Sequence, residues 1–126
     1  MESKEEGLQL LERYRRQTMY YLENAAEMLG RGEWGKGAEM AWGALAEALR
    51  AVALAKGNKL NSHADMRRFA RQLAKELQED SIENAFVRGE RLHSQFYEGF
   101  LDPEDVATDV EAIKRVLPRL LSLVPS

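Results

Sequence analysis

Between Glu33 and Lys56 the chain carries two apolar stripes, side by side, at helical spacing. Ala38, Trp42, Leu45, Leu49 and Val52 form one; Ala41, Ala44, Ala48, Ala51 and Ala55 form the other. A helix with one apolar stripe lies on a core, whereas a helix that is apolar around most of its circumference is surrounded by one. Alanine at these steps also lets neighbouring backbones approach closely. The stretch therefore predicts the central rod of a helical bundle, ended at Gly57 and Asn58. Other helices must cover it.

Four further segments supply that cover. From about Lys4 to Leu29, Leu8, Leu11, Tyr14, Thr18, Tyr21, Leu22, Ala25 and Met28 recur at three- and four-residue steps, and Gly30-Arg31-Gly32 closes the segment. Asn61 or Ser62 is placed to cap a third helix, with Asp65 three residues beyond Ser62 and Met66, Phe69, Ala70, Leu73, Ala74 and Leu77 as its apolar face. A fourth starts at Asp80 or Ser81, carries Ile82, Ala85, Phe86, Leu92, His93, Phe96 and Tyr97, and ends near Gly99. Asp102 caps a fifth, with Pro103 at its first position and Val106, Val110, Ile113, Leu117 and Leu120 as its stripe; Pro118 is expected to kink or end it. No strand-like alternation competes. The reading is an all-α chain, residues 1–126 forming a single domain: an antiparallel four-helix bundle with an additional C-terminal helix, its short loops making successive helices antiparallel.

Composition narrows the function classes. No cysteine is present, which removes disulfide frameworks and thiolate metal sites and fits a reducing cytoplasm. No run approaches the ~18 apolar residues of a membrane span, and Met1–Glu6 lacks the layout of a signal peptide, so no membrane partner is expected. A net charge of −3 argues against sequence-blind coating of nucleic acid but leaves room for a local basic site. Arg67, Arg68, Arg71 and Lys75 make one such patch on the third helix, and Arg13, Arg15 and Arg16 another; each reads as a solvated face or a set of phosphate contacts. His63, in the first turn of the third helix, reads as exposed and idle.

The informative stretch is Arg88-Gly-Glu-Arg-Leu-His93-Ser-Gln-Phe-Tyr97-Glu-Gly-Phe100. His93 is a structural residue among Leu92, Phe96 and Tyr97, or a proton-transfer group, since imidazole titrates near neutrality. Tyr97 is core or a platform on which a base stacks. Arg91, Arg67 and Arg71 are the accompanying candidates for nucleotide or RNA contact. Glu90-x-x-His93 also matches half of the ligand motif of di-metal carboxylate bundles, which would need a second copy, as in a dimer, and two more glutamates. No Gly-rich phosphate loop, nucleophile elbow or triad is visible, and no cofactor is expected. Trp34 reads as core or as a dimer contact.

Leu92, His93, Phe96, Tyr97 and Glu98, together with the Gly-rich entry from Gly32 into the Ala-rich helix, resemble the HEPN superfamily of helical bundles, and more closely its archaeal PaREP branch. The resemblance spans most of the chain. It implies a bundle that is often a homodimer and sometimes pairs with a nucleotidyltransferase. It also implies two activities: a nucleotide- or RNA-binding or interaction module, or a toxin-like, metal-independent endoribonuclease. In the ribonuclease members an arginine precedes a histidine by four to six intervening residues, which Arg88 and His93 satisfy. Histidine would exchange the proton and arginine would hold the phosphoryl oxygens. Gly89 stands where active members often carry a polar residue. Along a helix, five residues turn Arg88 and His93 roughly 140° apart, so a joint site needs a helix end, an irregularity or a second protomer.

Overall fold

The computed structural model describes residues 4–99 and 101–125. Five helices follow one another: α1 Lys4–Gly30, α2 Trp34–Ala55, α3 His63–Leu77, α4 Asp80–Glu98 and α5 Pro103–Ser122. No strand occurs among the described residues. None of these helices is long and apolar enough to cross a membrane.

The alanine-rich helix is the hub. α2 packs against α1, α3, α4 and α5, and α4 in turn packs against α3 and α5. Both predicted stripes of α2 are buried, from Ala38 to Val52, with Ala55 half-buried at the end. The fifth helix is an integral wall rather than an appendage: it buries Val106, Val110, Ile113, Val116, Leu117 and Leu120 against α2 and α4. α1 is the peripheral member. It packs on α2 and fully buries only Leu11, Thr18 and Ala25.

The helix ends follow local chemistry. Ser62 is the cap of α3, its Oγ accepting the Asp65 amide at 3.0 Å, while the Asp65 carboxylate accepts the Asn61 amide at 3.0 Å. That bond, against a smaller opposing cost of desolvation and with Arg68 and Ser62 adding to it, holds the Asp65 carboxyl below its ordinary range. Asp102 Oδ1 accepts the Glu104 amide and Pro103 opens α5, as predicted. α4 begins at Asp80 without a side-chain cap. Pro118 neither ends nor interrupts α5, which continues to Ser122. Its ring lies on the solvent side, so the carbonyl it leaves unpartnered one turn earlier faces water rather than core.

The turn between α3 and α4 rests on Gln78, whose φ of 56° is left-handed. A side chain there is strained, and glycine is the residue that fits. Gln78→Gly should therefore raise stability by about 0.5–1 kcal/mol, read as a higher urea midpoint at unchanged slope. A lower midpoint would mean that the glutamine side chain contributes more than its backbone costs.

Candidate functional site

Three helices bring two imidazoles onto one indole. Trp42 and Glu39 lie one turn apart on α2, His63 opens α3, and Glu90, His93 and Tyr97 follow along α4. The His63 and His93 rings lie 5.2 and 5.5 Å from the Trp42 ring, nearly parallel to it at 22° and 25°. The two imidazoles are 6.2 Å apart. Three nearly equal separations place both imidazoles on the same side of Trp42 rather than on opposite faces. Phe86 packs beside the indole at 5.5 Å and beside His63 at 6.0 Å, and Tyr97, 73% exposed, meets His93 edge-on at 5.1 Å.

Each imidazole is held by its own carboxylate. His63 Nε2 donates to Glu90 Oε2 at 2.9 Å, and His93 Nδ1 donates to Glu39 Oε1 at 2.8 Å. A carboxylate only accepts, so each bond fixes which ring nitrogen carries the hydrogen. Nδ1 of His63 and Nε2 of His93 remain for other partners. The rings are 43% and 33% exposed, open enough to meet a substrate. Arg67 grips Glu90 from the other side. Partial burial opposes ionisation of Glu90, but hydrogen bonds and charge from Arg67 and His63 outweigh it and hold its carboxyl below the ordinary range. The same contact raises the Arg67 guanidinium above its ordinary value.

The structure places the other sequence candidates elsewhere. Arg88 and His93 stand on one unbroken helix and turn to different neighbours. Arg88 Nη1 donates to Asp109 on α5 at 2.7 Å, and Arg91 donates to both oxygens of the same carboxylate at 2.7 and 2.8 Å. Asp109 is fully buried, and these bonds, less a cost of desolvation, raise the Arg91 guanidinium above its ordinary value. Arg71 pairs with Glu83 and Arg68 with Asp65, so the basic patch on α3 is an ionic seam along α3 and α4. Trp34 is half-buried against the core. Among the described residues no group of three or more histidine, aspartate and glutamate side chains is placed to hold a metal ion. Glu90 turns to His63 and Arg67, and His93 turns to Glu39, so the two halves of Glu90-x-x-His93 face different partners.

His63, read from sequence as idle, is the second half of the site, and Glu39 and Asp109 were not singled out. One signal pointed to His63. α3 and α4 are joined by a tight turn at Gln78–Glu79, so positions equally far from that turn lie opposite each other. Arg67 then faces Glu90, and His63 falls beside His93.

The sequence model of the Archaeal PaREP1/PaREP8 family matches residues 13–117 of this chain. Among curated proteins none matches significantly. The crystal structure of a protein from Sulfolobus solfataricus is similar, with a TM-score of 0.75 at 18% sequence identity, covering 85% of this chain and 95% of that one. At that identity the likeness is one of fold.

Proposed function

We propose that this chain, which belongs to the archaeal PaREP1/PaREP8 family, binds RNA at the His63–His93 site and cleaves its phosphodiester backbone by proton transfer, without a metal ion. The observation that carries the reading is the pair of imidazoles on Trp42, each oriented by its own glutamate, with one nitrogen of each ring left over. Cleavage at a ribose needs one group to accept the 2′-hydroxyl proton as that oxygen attacks phosphorus. A second group must give a proton to the departing 5′-oxygen as its bond to phosphorus breaks. One neutral and one protonated imidazole meet both needs, and the products are a 2′,3′-cyclic phosphate and a 5′-hydroxyl. Tyr97 offers an exposed ring for a base to stack on. The reading agrees with the HEPN likeness in its chemistry and in His93, but pairs that residue with His63. Arg88, engaged by Asp109, supports the helix that carries His93.

The test is cleavage of single-stranded RNA with a chelator present. His63→Ala and His93→Ala should each lower kcat/KM by ~10²–10⁴-fold, and Arg88→Ala by less than about tenfold. If the wild type cleaves no faster than the His93 variant, the catalytic reading fails.

One observation favours a second reading, a nucleotide-binding or interaction module in the cytoplasm. Arg67, Arg68 and Arg71 are each paired with a carboxylate, which leaves α3 little net charge to hold a long RNA backbone. In that case the chain works as a homodimer or with a nucleotidyltransferase, and purification from native cells recovers it with its partner. A chain recovered alone and monomeric counts against this second reading.

A further inference from the structure

Beside His63 the surface opens into a cavity of about 390 Å³ between α1, α2 and the loop before α3. Trp42 and His63 form its edge toward the imidazole pair, so the cavity and the proposed site are continuous. Tyr21 makes an aromatic wall, its ring lying over Gly43. Glu47 and Arg50 line the cavity together, Arg50 Nη1 donating to Glu47 Oε1 at 2.7 Å. The second carboxylate oxygen, Oε2, is buried and has no hydrogen-bond partner. Only 12% of that side chain is exposed. Buried acceptors are almost always partnered, so a carboxylate on the cavity wall whose second oxygen, closed off from solvent, has no partner is short of a donor.

We infer that this cavity is a nucleobase subsite that selects guanine; the inference rests on the reading of His63 and His93 as a phosphodiester site and names the base next to the phosphate. A carboxylate accepts and never donates, so the edge it prefers offers neighbouring N–H groups. Guanine does so through N1–H and N2–H, while adenine and cytosine offer a single amino group and uracil a single ring N–H. Arg50 beside Glu47 is a donor set, which matches the O6 acceptor adjacent to guanine N1. Oε1, though engaged by Arg50, keeps lone pairs for a second bond, and a turn of the carboxylate on binding brings Oε2, closed off from solvent in the free chain, to the cavity, so that the two oxygens together receive both guanine donors. The aromatic wall stacks on any base and gives affinity without choice. The choice lies in the pairing of Glu47 with Arg50.

The experiment is calorimetric titration of the intact chain with guanosine, adenosine, cytidine and uridine 3′-monophosphates, repeated with Glu47→Gln. The guanine nucleotide should bind at least tenfold more tightly than the other three, and Glu47→Gln, which replaces one acceptor oxygen with an amino group, should erase that margin. Equal binding of all four by the wild type overturns the inference whatever the variant does, and so does a margin that survives in a folded Glu47→Gln. The comparison within the wild type needs no variant to fold. RNA cleavage separates the two readings. Cleavage that depends on both histidines but follows no base overturns the guanine subsite alone. A guanine margin without cleavage leaves the subsite standing and overturns the catalytic reading.

Discussion

Asp109→Ala should destabilise the chain by about 3 kcal/mol, the low end of what breaking a buried ion pair costs. The carboxylate lies wholly inside the protein and receives three hydrogen bonds from two arginines one turn apart on α4. Taking it away leaves two guanidinium groups without the buried carboxylate they share between α4 and α5. They are 32% and 50% exposed and escape in part to water, which keeps the loss from reaching the upper end of the range, about 5 kcal/mol. Asp109→Asn keeps the shape but loses the charge and should cost about 2 kcal/mol. Arg88→Ala should cost only about 1 kcal/mol, since Arg91 still holds the carboxylate through two bonds. Urea denaturation of the three variants checks the order. Against a total of about 5–15 kcal/mol, the first loss is large enough to read without ambiguity. An Asp109→Ala variant as stable as the wild type would show that the two arginines are satisfied without it.

The same residues show what a sequence discloses and what it withholds. Helix positions were legible because burial repeats with the helical period: the stripes of α2, the face of α3 and the valine and leucine row of α5 are all inside. Ser62 and Asp102 were legible because caps are local chemistry, decided within three residues. Pro118 does not end α5, because the cost of a helical proline depends on whether the carbonyl it frees meets water, a fact of the surface and not of the motif. Half of the candidate site was readable. His93 stands in a recognisable string, but its partners arrive from elsewhere: Glu39 from α2 and His63 from the first turn of α3. Asp109 sits in a run of ordinary helix residues, and nothing around it announces that α4 will aim two arginines at it. Arg88 donates to that aspartate, a partner of which its own stretch of sequence gives no sign. Contacts between helices are set by rotation about each axis and by register, and a single sequence carries those only where a short turn imposes them.

Gly89→Ala joins the fold and the site in one substitution. Helix interiors ordinarily gain about 1 kcal/mol when glycine becomes alanine. At this position the new Cβ would lie 2.7 Å from Trp42 Cε3, 3.1 Å from Cζ3 and 3.3 Å from Leu45 Cδ2. The first distance is far inside van der Waals contact. Phe86 lies 5.5 Å from the indole, Leu45 is fully buried, both imidazoles lie against the ring, and the cavity beside His63 borders it. Either α4 moves off α2 or the ring turns, and overpacking of this kind costs about 1–3 kcal/mol. The expected result is a net loss of up to about 2 kcal/mol, against the helical preference. Because Trp42 carries His63 and His93, the imidazole proton resonances should shift together, and on the proposed catalytic reading RNA cleavage should fall by about tenfold or more. Adding Trp42→Phe should recover part of the lost stability by opening space beside the new methyl, a coupling that the two single changes would not show if they acted independently. Glycine after Arg88 is thus accounted for by the close passage of α4 over the indole. A Gly89→Ala chain that melts above the wild type with both imidazole signals unmoved would show that this passage is looser than 2.7 Å allows.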